Sequence, residues 1–297
     1  MQAQIAKPLK IGYKRTCQCP PSHINCLTPK EWVKSQVAIW EFSYEKRDVR
    51  DKNIHPATFP IALAAQCIEL FSHRGELILD PFVGSGTTLV AAQDLGRNAV
   101  GFDLKKEYVK LSQSRLGQTR LDSKTQQVVV CDDAHNIPEY LHEETVSLAV
   151  TSPPYANMLN RPRLNKSMRS DQRRNQHFLK VQQYSDDPRD LGTMEPEKYA
   201  EVIGEIYRGI LPLMRTKAHS VINVADLWVR DDDHGKRVMI PFYVARAMEA
   251  GGYELRNIIF WDRRNLVNQV GIFGWPSNYI TLGTTYQYIL DFWKPPD

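Results

Sequence analysis

The sequence predicts an α/β fold in which short buried strands alternate with helices along 297 residues. Apolar runs of about five residues recur between segments of helical period, which is typical of strands buried on both faces of a parallel sheet. Acidic residues or polar motifs follow several of these runs directly. Because ligands bind beyond the carboxyl ends of the strands in such sheets, we expect the functional site at that edge.

The alternation begins with a predicted strand over Glu76–Asp80, a glycine-rich turn and a helix over Leu89–Gly96. The later elements are predicted in this order: strand Asn98–Asp103, helix Lys105–Leu116, strands Gln127–Cys131 and Val146–Val150, helix Pro196–Met214, strand Ser220–Val224, helix Ile240–Ala250, and strands Tyr253–Trp261 and Tyr286–Trp293. Glycines stand where the first two helices are expected to end. The alternation favours helices on both faces of the sheet.

The composition favours a globular protein without a membrane partner. Hydrophobic residues make up 42% of the chain, yet no apolar stretch approaches the roughly 20 residues of a membrane-spanning helix. The first residues lack the apolar block of a signal peptide, so a cytoplasmic location is expected. The five cysteines do not suggest a disulfide framework in a chain of this length, and reduced thiols are expected.

One local cluster holds four side chains that could bind a metal ion, namely Cys17, Cys19, His23 and Cys26. Their spacing is tighter than that of paired zinc knuckles, and Pro20-Pro21 would have to turn the chain sharply. Free thiols beside a packed histidine are therefore the favoured interpretation, with a zinc site as the alternative. No metal is expected to take part in catalysis.

The glycine-rich turn has the sequence Asp80-Pro81-Phe82-Val83-Gly84-Ser85-Gly86-Thr87-Thr88. Its glycines can adopt backbone angles closed to other residues, and they let the main chain approach a ligand. A nucleoside triphosphate is disfavoured because no lysine follows Gly86, and a dinucleotide because Leu89 occupies the third glycine position of that motif. The G-x-G core alone could also be a tight structural turn.

The full nine-residue string resembles the S-adenosylmethionine-binding motif of DNA methyltransferases that modify exocyclic amines, and the specific resemblance spans roughly residues 54–155. It implies a Rossmann-like sheet, mostly parallel with an antiparallel final strand, and S-adenosyl-L-methionine as cofactor. The cofactor-binding residues that it implies are His55, Pro56, Thr58, Asp80, Phe82, Gly84, Ser85, Gly86, Thr87, Asp103 and Asp133. Asp103 would accept hydrogen bonds from both ribose hydroxyls, and Asp133 would accept one from the adenine amine. For each acid the alternative is a helix cap, and Asp132 could take the place of Asp133.

A second motif, Ser152-Pro153-Pro154-Tyr155, follows the predicted strand Val146–Val150. An aromatic amine is a poor nucleophile until acceptors draw on its hydrogens, and the Ser152 hydroxyl and the Pro153 carbonyl would be those acceptors. Tyr155 could stack on the base, and direct methyl transfer would need no covalent enzyme intermediate. In isolation these residues could form only a rigid turn, but their place after the fourth strand favours a catalytic role.

In the family that the motifs resemble, the first position of this motif is usually serine in N4-cytosine enzymes and Asp or Asn in N6-adenine enzymes. Ser152 therefore favours N4 of cytosine in a flipped-out base, with N6 of adenine as the alternative. Methylation at carbon 5 is disfavoured because it requires a cysteine nucleophile, which in the family of carbon-5 methyltransferases follows a proline, and none of the five cysteines here follows one. RNA, a protein glutamine amide and a catalytically inactive nucleic-acid-binding module are further alternatives.

Positive charge is concentrated after the second motif. The formal net charge of the chain is +4, whereas residues 156–180 hold seven basic residues against the single acid Asp171, a local charge of +6. The basic residues are Arg161, Arg163, Lys166, Arg169, Arg173, Arg174 and Lys180. We expect them, together with Arg263 and Arg264, to contact the phosphates of double-stranded DNA, although a solvated loop is the alternative.

These features predict an N-terminal extension over residues 1–53 that packs on a catalytic domain over residues 54–297. DNA-contacting insertions are expected at 156–195 and 262–285, because a connection as long as the second exceeds what sheet closure needs. A restriction endonuclease is a candidate genetic partner.

Overall fold

Successive buried side chains along the strands pack on opposite faces of the central sheet. The structure, a computed structural model, describes residues 7–49, 59–117, 124–159, 187–231, 234–266 and 282–296. In strand β2 (Leu77–Asp80), Leu77 and Leu79 belong to one hydrophobic cluster and Ile78 belongs to the other. Helical residues complete both clusters, as a sheet buried on both sides requires.

Eight strands form the main sheet: β1 (Ile39–Glu41), β2, β3 (Asn98–Asp103), β4 (Gln127–Cys131), β5 (Val146–Thr151), β6 (Met214–Val224), β9 (Glu254–Asp262) and β10 (Tyr286–Trp293). Their order across the sheet is β1-β9-β10-β6-β5-β2-β3-β4. Among the described strands of this sheet, β10 is antiparallel to both neighbours and the other pairs are parallel. The predicted Rossmann-like α/β fold with an antiparallel final strand is confirmed.

The helices are α1 (Pro29–Ser35), α2 (Lys46–Val49), α3 (Ile61–Phe71), α4 (Thr87–Asp94), α5 (Lys106–Gly117), α6 (Pro196–Ile210) and α7 (Ile240–Ala250). The helix predicted over Pro196–Met214 is too long. A short 3-10 helix covers Leu211–Leu213, and Met214 already begins β6. The reason is Pro212, which has no N–H to continue the α-helical bonding. No helix of the described ranges has the length and apolar character to span a membrane.

Three strand regions differ from the sequence prediction, and one of them is β1, where no strand was predicted. β6 starts at Met214 rather than Ser220, since its first half is largely exposed and polar and so lacks the apolar signal of a buried strand. The strands β7 (Leu227–Asp231) and β8 (His234–Val238) form a separate antiparallel hairpin that was not predicted.

The segment before residue 50 contributes to the sheet itself. β1 pairs in parallel with β9, and the side chains of Trp40 and Phe42 are buried in the cluster that also contains Trp261. The boundary predicted between residues 53 and 54 lies outside the described residues.

The direction of strand addition reverses at β2. From β2 the chain adds β3 and then β4 on one side, whereas β5 and β6 are added on the other side. In open α/β sheets a crevice opens at such a reversal, beyond the carboxyl ends of the strands. This reversal therefore fixes where a ligand site can lie.

Candidate active site

A cavity of about 420 Å³ lies at this reversal, beyond the carboxyl ends of β2 to β6. Its volume is within the range of small-molecule sites. Residues of the two sequence motifs line it together with Asp103 and Asp133, the acids at the end of β3 and just after β4. The predicted site residues that line it are Phe82, Gly84, Ser85, Thr87, Asp103, Asp133, Ser152, Pro153, Pro154, Tyr155 and Arg263.

The glycine-rich turn needs its second glycine for conformational reasons. Gly86 is the N-terminal cap of α4 and has φ of +84°, a left-handed conformation. A Cβ atom at Gly86 would lie 3.0 Å from the Cβ and hydroxyl oxygen of Ser112. The Ser112 hydroxyl in turn donates to the Gly84 carbonyl oxygen at 2.7 Å. Gly86 therefore acts behind the cavity wall, by allowing the turn to approach α5.

Asp80 lies beneath the cavity rather than among the residues that line it, although the sequence predicted a cofactor contact. One of its carboxylate oxygens accepts from the Thr151 hydroxyl at 2.6 Å and from the Phe82 backbone N–H at 3.1 Å. Burial raises the pKa of Asp80 to about 6, despite these hydrogen bonds. The side chain thus connects the glycine-rich turn to the residue that precedes Ser152.

Asp103, at the end of β3, is held by backbone donors on both carboxylate oxygens. One oxygen accepts from Gly84 at 3.0 Å and the other from Lys105 at 2.8 Å. Burial raises the pKa of Asp103 to about 7, and nearby Asp190 and Asp80 add to this rise by charge repulsion. Because a carboxylate oxygen has two lone pairs, both oxygens keep acceptor capacity towards a ligand in the cavity.

The two acids after β4 have different surroundings. Asp132 accepts from the Tyr140 hydroxyl at 2.6 Å and from the Asn136 amide at 2.9 Å. Burial opposes ionisation of Asp132, but these hydrogen bonds hold its pKa below the usual value. Asp133 caps the following 3-10 helix through His135, whose backbone N–H donates to it at 3.0 Å. Asp133 also lines the cavity, so the same residue caps the helix and can contact a ligand.

The second motif forms a hydrogen-bonded cluster with two residues that the sequence analysis missed. The hydroxyl oxygens of Ser152 and Tyr155 are 3.1 Å apart. The amide nitrogen of Asn223 donates to Ser152 at 3.2 Å and to Tyr155 at 2.9 Å. The Tyr155 hydroxyl donates to the amide oxygen of Gln287 at 3.2 Å. Burial raises the pKa of Tyr155 to about 12, so its hydroxyl stays protonated at neutral pH.

Asn223 and Gln287 reach this cluster because β6 and β10 are antiparallel. Asn223 is near the end of β6 and Gln287 near the start of β10, so both lie at the same edge of the sheet. Both were within strands that the sequence predicted. The signal that could have identified them is a polar residue within a mostly apolar predicted strand, close to the edge of the sheet where the site was expected.

Aromatic side chains outside the two motifs also line the cavity. Tyr44, Phe59 and Trp261 line it, and the Tyr44 and Trp261 rings have their centroids 6.4 Å apart. The Arg263 guanidinium lies 4.9 Å from the Trp261 ring centroid. Arg263 is thus part of the cavity wall. Arg264, whose side chain is 77% exposed, forms an ion pair with Asp262 at 2.6 Å.

Several predicted site residues lie outside the described residues. They are His55, Pro56 and Thr58 among the cofactor-binding set, and Arg161, Arg163, Lys166, Arg169, Arg173, Arg174 and Lys180 among the DNA-binding set. Their roles remain predictions.

The predicted soft-ligand cluster is correct in its cysteines and wrong in its histidine. The thiols of Cys17, Cys19 and Cys26 converge on His73, whereas the side chain of His23 is not part of the group. His23 contributes its backbone carbonyl oxygen, which lies 2.8 Å from Nε2 of His73. The expectation failed because His73 is distant in the sequence and is brought in only by the fold.

Fold and cavity together have the organisation of a Rossmann-like methyltransferase, with the strand-end acids and the Ser-Pro-Pro-Tyr motif around one pocket. Comparison with known proteins agrees with this class. A family model described as DNA methylase matches residues 5–114. The matched region includes the glycine-rich turn and Asp103 and ends before Ser152. The predicted resemblance to DNA amino-methyltransferases is confirmed over this region, which also includes residues 5–53, where no resemblance was predicted.

Individual relatives match shorter regions. The chain is 38% identical over 78 residues to the type II methyltransferase M.HpaI of Haemophilus parainfluenzae, which is 26% of this chain and 25% of that protein. It is 41% identical over 83 residues to the type II methyltransferase M2.DpnII of Streptococcus pneumoniae, or 28% and 31% of the two chains. The chain thus matches less than a third of the length of these curated relatives.

Among solved structures, one similar chain is an S-adenosylmethionine-dependent methyltransferase of Methanosarcina mazei. The TM-score is 0.45 at 10% identity, over 74% of this chain and 93% of that one.

Proposed function

We propose that this chain transfers a methyl group from S-adenosyl-L-methionine to the exocyclic N4 amine of a cytosine flipped out of double-stranded DNA. The observation that carries the proposal is the cluster of Ser152, Tyr155, Asn223 and Gln287, which borders the same cavity as Asp103 and the glycine-rich turn. It combines acceptors for an aromatic amine with polar groups suited to a nucleoside.

The residues around the turn suit the cofactor in charge and in hydrogen bonding. Thr87 is the first residue of α4 and lines the cavity, so a ligand carboxylate there would face the positive end of a helix. Asp103 has acceptor capacity for the two ribose hydroxyls, and Asp133 for the adenine amine. Phe82 lines the cavity on the side of the turn and offers an apolar surface.

When bound, the cofactor would supply a methyl group on a positively charged sulfur. The amine nitrogen would form a bond to the methyl carbon as the bond from that carbon to sulfur breaks, with S-adenosylhomocysteine as the leaving group, and the surplus proton of the amine would pass to solvent. The part of the protein is to orient the amine and to accept hydrogen bonds from it. No residue of the chain needs to become covalently attached.

Hydrogen-bond direction makes Ser152 an acceptor towards the substrate. Tyr155 donates its hydrogen to Gln287, so its oxygen is free to accept from the Ser152 hydroxyl. The two hydrogens of the Asn223 amide are shared among both hydroxyl oxygens and the amide oxygen of Gln287, which lies 3.0 Å from the Asn223 nitrogen. With its own hydrogen directed to Tyr155, Ser152 has one lone pair left for the amine of the base. The Pro153 carbonyl would accept the second amine hydrogen.

Two features support a flipped base as substrate. The aromatic rings of Tyr44 and Trp261 face the cavity and suit stacking against a base that has left the duplex. Among the described residues, the buried amide oxygen of Asn223 and the buried Nε of Arg263 have no hydrogen-bond partner. A buried polar group without a partner is costly, and a bound base could satisfy such groups.

The DNA partner is inferred from charge and from the relatives. The basic residues of 156–180 would follow the catalytic motif directly and would contact phosphates. The relatives are named type II methyltransferases, and a restriction endonuclease is accordingly a candidate genetic partner of this chain. N4 of cytosine is preferred to N6 of adenine because of Ser152.

Expression of the chain in a host without DNA methylation tests this proposal. We expect N4-methylcytosine at a specific sequence of the host genome, read by a sequencing method that separates it from N6-methyladenine. Detection of N6-methyladenine alone would contradict the assignment of cytosine as the target base. The variant Ser152→Ala should remove the modification while the purified protein still binds S-adenosyl-L-methionine, and an unchanged methylation level would contradict the role of the hydroxyl.

A further inference from the structure

The N-terminal segment and the turn before β2 bring together four side chains that no part of the proposed reaction uses. They are the thiols of Cys17, Cys19 and Cys26 and the imidazole of His73, and their ligand atoms all lie within 4.8 Å of one another. We propose that these residues bind a structural zinc ion.

The distances within the group are close to the edges of a zinc coordination tetrahedron. Nδ1 of His73 lies 3.3 Å from Sγ of Cys17 and 3.5 Å from Sγ of Cys26. Zinc–sulfur bonds of about 2.3 Å and zinc–nitrogen bonds of about 2.0 Å give a sulfur–nitrogen edge of about 3.5 Å. The side chains therefore need only small adjustments to close around an ion.

The imidazole of His73 is already oriented as a metal ligand. Its Nε2 lies 2.8 Å from the His23 carbonyl oxygen, and because a carbonyl can only accept, Nε2 carries the hydrogen. In the neutral ring the lone pair is then on Nδ1, which faces the thiols. A second ring nitrogen bonded to a backbone carbonyl is the usual support of a zinc-bound histidine. The backbone N–H of His73 also donates to Glu76 at 2.7 Å.

The chemistry of the donors selects the metal. Three thiolates and one imidazole form a soft set, which zinc binds in tetrahedral geometry. The set supplies all four ligands and leaves no open position, as in structural rather than catalytic zinc sites. His73 precedes β2, whereas the cavity lies beyond the end of this strand. The proposed zinc site is thus at the opposite edge of the sheet from the candidate active site.

The site would stabilise a segment that has little regular structure of its own. Between Lys7 and Thr28 the described residues form neither helix nor strand. The segment is attached to the turn before β2 by a bond from the Thr16 backbone N–H to the Arg74 carbonyl at 2.7 Å, and to the end of α3 by a bond from the Asn25 amide to the Leu70 carbonyl at 2.8 Å. A metal ion would add a cross-link between the same two parts of the chain.

The metal content of the full-length protein, purified without chelator and without a histidine tag, tests the proposal. Inductively coupled plasma mass spectrometry should find about one zinc ion per chain, and X-ray absorption should find about three sulfur and one nitrogen ligand. A protein that contains no zinc and takes up none from zinc chloride under reducing conditions would overturn the proposal. A different ligand set, such as four sulfurs, would do so as well.

Variants test the ligand assignment with matched controls. In His73→Ala and Cys26→Ser, the bound zinc or the affinity for zinc should fall at least about tenfold, because each variant removes one ligand. His23→Ala and Cys131→Ser should keep it, since His23 contributes only a backbone atom and Cys131 is outside the cluster. Zinc loss in His23→Ala with retention in His73→Ala would refute the assignment.

If His73→Ala or Cys26→Ser does not fold, alkylation of the wild-type protein tests the site instead. Cys17 should react only after a chelator is added, and equal reactivity without the chelator would refute the site.

Discussion

Replacement of Tyr155 by phenylalanine tests the direction of the hydrogen bonds around Ser152. The change keeps the ring and removes the hydroxyl that lies 3.1 Å from the Ser152 oxygen, accepts from Asn223 at 2.9 Å and donates to Gln287 at 3.2 Å. Without this acceptor the Ser152 hydrogen can turn towards the substrate amine. Ser152 would then present a donor where the reaction requires an acceptor.

The size of the effect follows from the bonds lost. Each hydrogen bond contributes about 0.5–1.5 kcal/mol net. The change removes the bond between Ser152 and Tyr155 and, once the Ser152 hydrogen turns, the bond that Ser152 would accept from the substrate amine, and these two losses raise the barrier by about 1–3 kcal/mol. This corresponds to a methyl-transfer rate roughly 10- to 100-fold lower. The dissociation constant of S-adenosyl-L-methionine should stay within about twofold, because the hydroxyl bonds to the Ser152 cluster rather than to the cofactor side of the cavity.

The assay is single-turnover transfer of tritiated methyl groups to unmethylated genomic DNA, with cofactor binding measured by calorimetry. Tyr243→Phe is the matched control, since Tyr243 is on α7 and does not line the cavity. A single-turnover rate of Tyr155→Phe equal to that of the wild type would refute the hydrogen-bond argument. A loss of cofactor affinity that accounts for the whole defect would refute it as well.

Three further predictions concern the cofactor and DNA surfaces. Burial raises the pKa of Asp103 to about 7, so cofactor affinity measured by calorimetry should fall, by up to about tenfold per pH unit, as the pH drops below this value. Asp103→Asn should bind more weakly and lose this pH dependence, and an unchanged profile would contradict the role. Gly86→Ala should lower cofactor affinity by about tenfold or more because of its positive φ and close packing, whereas Gly117→Ala, whose added Cβ meets open space without a positive φ, should not; equal affinities of the two variants would contradict the role of the turn. Arg263→Ala should weaken DNA binding because its buried Nε lacks a partner that the flipped base would supply, and the exposed, ion-paired Arg264 should matter less; the reverse order in a fluorescence titration would contradict this assignment.

Local sequence patterns predicted the strands whose residues are mostly apolar. Asn98–Asp103, Gln127–Cys131 and Tyr286–Trp293 have the predicted bounds, because each holds a short run of β-branched, aromatic or other apolar residues. The position of the site followed from the same pattern, since acids and motifs follow the ends of these strands.

Other features depend on contacts between distant parts of the chain. Asn223 and Gln287 join Ser152 only through the pairing of β6 with β10, and His73 meets the cysteines only because the N-terminal segment packs against the turn before β2. The first half of β6 is exposed and polar, so it has no pattern of a buried strand. For such residues spacing along the chain gives no indication of proximity.

Analysis of the methylated nucleoside tests the central claim most directly. The purified chain would be incubated with labelled S-adenosyl-L-methionine and unmethylated genomic DNA, and the DNA would then be digested to nucleosides for mass spectrometry. We predict label in N4-methyldeoxycytidine, and a strong reduction with Ser152→Ala. Label in N6-methyldeoxyadenosine alone would contradict the cytosine assignment, and unlabelled DNA from a protein that binds the cofactor would contradict the DNA methyltransferase function.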